Sequence, residues 1–119
     1  MQSPRILAAA LTFLLVSPVV ADTLVTDNYT IKIQVNCPEG NVTCDDVSYH
    51  GTSHKSGEQL SLKGKTISKT CADGVTPCQF LGYQFKNGNT TYKVLESGQL
   101  LVEQNGKTLV DESGAWSYQ

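Results

Sequence analysis

The residues from Tyr29 to Asn36 alternate strictly, with Tyr29, Ile31, Ile33 and Val35 on one side and Thr30, Lys32, Gln34 and Asn36 on the other. Period-two alternation predicts a β-strand with one buried face and one wet face. The pattern recurs, more weakly, with Val47 and Tyr49 in 46–52, Leu60 and Leu62 in 58–64, and Ile67 in 65–70. The clearest hairpin is 79–96, where two alternating runs flank Asn87-Gly88. That dipeptide is favoured in a type I′ turn because both central residues need positive φ. Counting outward from it sets Tyr83 opposite Tyr92 and Phe85 opposite Thr90. Ser97-Gly98 and Asn105-Gly106 punctuate two further hairpins, over 99–104 and 107–112, and Trp116 marks a short last strand. No window carries a helical period. About eight short strands predict an all-β domain, a small antiparallel barrel or sandwich joined by hairpins.

Two segments interrupt the strands with the same design: Cys37-Pro38-Glu39-Gly40-Asn41-Val42-Thr43-Cys44 and Cys71-Ala72-Asp73-Gly74-Val75-Thr76-Pro77-Cys78. Each holds two cysteines seven positions apart around an acid followed by glycine. Four cysteines allow three pairings. If Gly40-Asn41 and Gly74-Val75 are two-residue turns, Cys37 faces Cys44 and Cys71 faces Cys78, at about the spacing a disulfide spans. Long-range pairing would constrain the unfolded chain more, about 3.8 against about 2.5 kcal/mol per bridge, too small a gain to override geometry. The expected disulfides are therefore local. Zinc is the rival, but Cys₄ sites space their ligands two to four residues apart, and a redox pair wants Cys-x-x-Cys.

Oxidised cysteines call for an exported chain, and the N-terminus offers a route. Arg5, an apolar run from Ile6 to Val16 and the small-residue site Val19-Val20-Ala21 read as a signal peptide over 1–21. That run is too short to span a membrane. The expected product is a periplasmic or secreted protein with one disulfide-stapled β domain over 22–119. The whole chain has nine basic and eleven acidic residues, net −2. Loss of Arg5 leaves eight lysines against the same eleven acids, hence −3, and no arginine. Without bidentate guanidinium donors, and with the lysines scattered along the chain, nucleic acid is not an expected partner.

Candidate chemistry is sparse. His50 and His54 share a strand face but stand about 13 Å apart, too far for one metal unless the chain turns at Gly51. Asp45-Asp46 lacks the further oxygen ligands of a calcium loop. No G-x-S-x-G elbow is present, and adjacent carboxylates on a strand point to opposite faces. We expect no catalytic residue, no metal and no cofactor. Tyr49, His50, His54 and Lys55 form the candidate binding loop, because 50–55 carries no core pattern.

Residues 81–107 resemble the C-terminal half of bacterial c-type lysozyme inhibitors, periplasmic and membrane-bound. Gly82, Phe85, Asn87, Gly88, Tyr92, Gly106 and Lys107 fit that family's frame of hairpins. The resemblance implies a small exported antiparallel β-barrel that inhibits a hydrolase. The family's inhibitory loops present a serine before the first glycine and a lysine before a later one. Here Leu81 and Ser97 stand at those places, so the inhibitory side chains do not carry over.

The sequence thus points to an exported, non-catalytic protein that binds a partner in the cell envelope, as an inhibitor of, or immunity protein against, a cell-wall hydrolase. An envelope structural or stress-related protein is the alternative. A third reading is an enzyme or small-ligand carrier using a barrel interior, which a deep cleft with converging polar groups would favour and a filled interior would end.

Overall fold

The computed structural model describes residues 21–118. The expected signal peptide, apart from Ala21, lies outside them. Nine strands form one antiparallel sheet: β1 Asp22–Val25, β2 Tyr29–Val35, β3 Val47–Ser53, β4 Gln59–Thr70, β5 Pro77–Asn87, β6 Thr90–Leu95, β7 Gln99–Gln104, β8 Lys107–Ser113 and β9 Ala115–Ser117. No helix occurs among the described residues, and none is long and apolar enough to cross a membrane.

The strands follow one another as a meander from β1 to β8, and β9 pairs with β1. β8 and β9 lie at opposite edges of the sheet yet are separated by Gly114 alone. The run 107–117 pairs with β7 through its first part and with β1 through its second, and so rolls the sheet into a nearly closed barrel. Gly114 permits the switch: a Cβ there would run into the carbonyl of Val25, and the Gly114 N–H donates to Gly98 O at 2.9 Å.

The inward face is apolar as the alternation predicts. Leu24, Ile31, Val47, Phe85, Val94 and Leu100 are fully enclosed, each worth about 1.5–3 kcal/mol relative to exposure. Tyr49 tilts against Phe85 and Tyr92, with ring centroids 5.1 and 5.6 Å away. Val35, expected on the same inner face as Ile31 and Ile33, is 45% exposed because it lies at the end of β2, next to the irregular segment 36–46.

Four expectations need correction. The segments 58–64 and 65–70 are one strand, β4; Gly64 does not break it but lies where a side chain would strike Gln84 O and the Phe85 ring. β1 was not expected, since it offers a single buried apolar residue, Leu24. The β5–β6 turn is Gly88-Asn89, not Asn87-Gly88: Asn87 pairs with Thr90, Phe85 with Tyr92 and Tyr83 with Val94. Gly88 alone has positive φ there (63°), the type II′ pattern, whereas Asn105 and Gly106 both have positive φ, as type I′ requires. A two-residue slip leaves each side chain on its expected face. Finally, the disulfides Cys37–Cys44 and Cys71–Cys78 form as expected, with Cα atoms 5.8 and 5.0 Å apart, but not across simple two-residue turns. The first closes an irregular loop between β2 and β3, and in the second Thr70 pairs with Pro77, so the cysteines are diagonal neighbours.

Candidate functional site

Two features stand out from the filled barrel: a loop at the end carrying both disulfides, and a cleft along the seam where closure is incomplete.

β4 and β5 have twelve and eleven residues, far longer than their neighbours, and their outer halves run through two register shifts, Ile67/Ser68 and Lys69/Thr70. They form an arm tipped by the Cys71–Cys78 loop, in which residues 72–79 are all exposed and Val75 is 79% exposed. The loop is nonetheless internally bonded. The Asp73 carboxylate accepts the Val75 and Thr76 N–H groups, both at 2.9 Å, and the Thr76 hydroxyl. Cys71 N–H donates to Thr76 O at 2.8 Å, and Gly74 N–H to Cys71 O at 2.9 Å. The bond from the Thr76 hydroxyl, then those from the two amides, pull the Asp73 carboxyl down to about 2. Side chain and disulfide together fix the loop while leaving an apolar tip in water.

The Cys37–Cys44 loop is anchored differently. Cys44 is 5% exposed and belongs to the core. Its N–H donates to Thr66 Oγ1 at 3.0 Å and its carbonyl accepts the Thr66 N–H at 2.9 Å, tying the loop to the base of the arm. Asn36 donates through its amide to Asp46 and Ser48. The Lys63 ammonium, 3.1 Å away, and the Asn36 amide hold the Asp46 carboxyl below its ordinary value.

No known family model, curated protein or solved structure matches the chain.

The seam cleft runs between β8 and the turns β1–β2 and β3–β4. Asn28 laces it at one point, donating its side-chain amide to Glu112 Oε2 at 2.7 Å and its backbone N–H to Oε1 at 3.3 Å. Those bonds, chiefly the amide's, lower the Glu112 carboxyl. Beyond them the seam opens into a cavity of about 770 Å³, lined by Tyr29, Tyr49 and Tyr92, by the apolar Leu60, Leu100 and Leu109, and at its rim by Ser53, Ser56 and Glu58. That volume falls among those of small-molecule sites.

The candidate loop residues do not converge on one surface. Tyr49 is 4% exposed and points into the barrel, where it lines the cleft. Burial raises its phenol above the ordinary value, so it stays neutral. His50, its strand neighbour, faces outward with Nδ1 3.0 Å from Ser61 Oγ. His54 pins the β3–β4 turn to the β1–β2 turn: Nδ1 donates to Asp27 O at 3.0 Å, which assigns the proton to that nitrogen, and Nε2 lies 2.8 Å from Thr30 Oγ1. Lys55 is exposed beside it. Among the described residues no three His, Cys, Asp or Glu side chains come together as a metal site would need.

Sequence reading missed the arm, the cleft and one charge cluster. The lysines are scattered in sequence, but sheet pairing gathers Lys63, Lys65 and Lys86 with Asp45 and Gln84 around a shallow concavity of about 440 Å³. Alternation in 63–65 and 84–86 was a usable signal, but the register needed to join them was not.

Proposed function

We propose that this protein is an exported, non-catalytic binding protein of the bacterial periplasm or extracellular space that inhibits, or gives immunity against, a cell-wall hydrolase. The arm with the Cys71–Cys78 loop is its recognition element. What carries the reading is the combination at the arm's tip: Val75, 79% exposed, stands on a loop whose turn is closed by Asp73 and a disulfide. A loop ordered before binding loses little conformational freedom on docking, and an apolar tip gains when a cleft removes it from water. Inhibitors need this pairing of rigidity with projection. Two disulfides with no free cysteine fit an oxidising compartment. The resemblance of 81–107 to c-type lysozyme inhibitors supports the same class of partner, through a different loop.

The test is turnover of purified peptidoglycan by c-type and other wall lysozymes, with and without the protein. Slowed hydrolysis by wild type, lost in Val75→Asp with an unchanged melting curve, is the expected result. If no wall hydrolase is slowed at micromolar protein, or Val75→Asp inhibits as wild type does, the proposal is wrong.

A further inference from the structure

The seam cleft has its own chemistry, remote from the arm, and it converges on one buried group. Tyr49 is 4% exposed as a residue and lines the cleft. Side-chain hydrogen bonds of the surrounding strands join His54 to Thr30, His50 to Ser61 and Gln104 to Thr90. None reaches the Tyr49 hydroxyl among the described residues. A buried donor left without an acceptor costs stability and is uncommon in folded proteins, so its persistence calls for a reason. Burial also keeps this phenol protonated, which makes it a permanent donor.

Gly51 makes the room this hydroxyl occupies. Gly51, two residues along β3 and itself a lining residue, faces the same side of the sheet. A Cβ there would come within 2.7 Å of the Tyr49 hydroxyl and 2.9 Å of its ring. Any side chain at 51 would therefore displace the hydroxyl. Leu109, the extra residue at the β7–β8 irregularity, is 51% exposed at the mouth. The lining is tyrosine and aliphatic side chain within, serine and glutamine at the rim. Among the described residues, Glu58, exposed, is the one ionisable lining residue apart from the tyrosines, and the lining holds no lysine, arginine or histidine. Such a floor offers no counter-charge, and a charged ligand would lose its hydration without compensation.

We propose that the seam cleft binds a neutral amphiphilic small molecule, an apolar body carrying one hydrogen-bond acceptor, which takes the Tyr49 O–H bond while its apolar part covers Leu60, Leu100, Val102 and Leu109. The ligand's polar remainder lies against Ser53, Ser56 and Gln59 at the rim. Binding here does not depend on the arm, so the two proposals stand or fall separately.

Nile red, an uncharged dye with a ring carbonyl, serves as the probe. Titrated against the protein, it should show saturable one-to-one binding with blue-shifted emission. Tyr49→Phe, which deletes the orphaned donor and little else, should weaken that binding about tenfold, the worth of one hydrogen bond, with a melting temperature equal to or above wild type. Diphenylhexatriene, a hydrocarbon with no acceptor, should bind both forms alike. Leu109→Arg, at the exposed mouth, should abolish both signals. Should Tyr49→Phe fail to fold, amide shifts of the wild type with Nile red decide instead, and they should move at Tyr92, Leu100, Val102 and Leu109. Absence of saturable binding, equal Nile red affinity in folded Tyr49→Phe, or shift changes confined elsewhere would each overturn the site.

Discussion

The loops closed by Cys37–Cys44 and Cys71–Cys78 share cysteine spacing, an acid-glycine step and a valine-threonine pair, yet the fold uses them in opposite ways. The first turns its second cysteine into the core and bonds it to Thr66 on both sides of the backbone. The second lies at the end of an arm, with its intervening residues all exposed and its polar groups satisfied by Asp73. Both tips carry an exposed valine, Val42 at 74% and Val75 at 79%. Only the second valine is carried clear of the barrel on long strands. Covalent pattern therefore sets how tightly a loop closes, while the strands that lead into it decide whether the loop props up a core or presents a surface.

The largest effect should come from removing the first clip. Cys37→Ala with Cys44→Ala loses the cross-link and disturbs a core position, and should cost about 3–5 kcal/mol, seen as a melting midpoint lower by roughly 15 °C or more. Cys71→Ala with Cys78→Ala should cost only about 1 kcal/mol, because the native arm gains much of the freedom that the unfolded chain gains. Equal losses would erase the distinction between the loops.

The pH response sharpens it further. The Asp73 carboxyl is lowered to about 2 from an ordinary 3.8. A depressed carboxyl contributes order that is complete above the ordinary value and is lost as pH falls toward the depressed one. Amide signals of Val75 and Thr76 should therefore hold constant above pH 4 or so and shift between about 4 and 2, and Asp73→Asn should remove that transition. The smallest change in stability belongs to Val75→Ser. As a surface substitution it should alter stability by no more than about 0.5 kcal/mol, measured by urea denaturation, although it removes the apolar tip on which the proposed inhibition rests.

Much of this architecture is legible in the chain. Alternation at Ile31 and Ile33 placed the core face of β2, and the short cysteine spacing pointed to both disulfides, although the two-residue turns expected between them do not form. The turn at Asn105-Gly106 was legible because both residues take the φ signs their identities favour. Gly88-Asn89 was not, since Gly88 can serve either turn position and the choice depends on how β5 and β6 pack. The fusion of β4 across Gly64 was hidden because glycine signals a break as readily as a close strand approach. Barrel closure depends on Gly114 meeting Val25, residues 89 positions apart, which no local pattern records. Tyr49 read as a loop residue because His50 and His54 drew attention to the wet face, whereas its own alternation with Val47 marked it as inward. The cleft it lines exists only once β8 stands beside the turns it fails to pair with.

The most direct test of this division of labour is residue-resolved amide hydrogen exchange in the two double cysteine variants. In Cys71→Ala/Cys78→Ala, the Cys71→Ala and Thr76 amides should lose protection while those of Val47, Thr66 and Phe85 stay as in wild type. In Cys37→Ala/Cys44→Ala, protection should fall across the whole barrel. If both variants lose protection over the same residues by the same factor, the two loops do one job and the account is wrong.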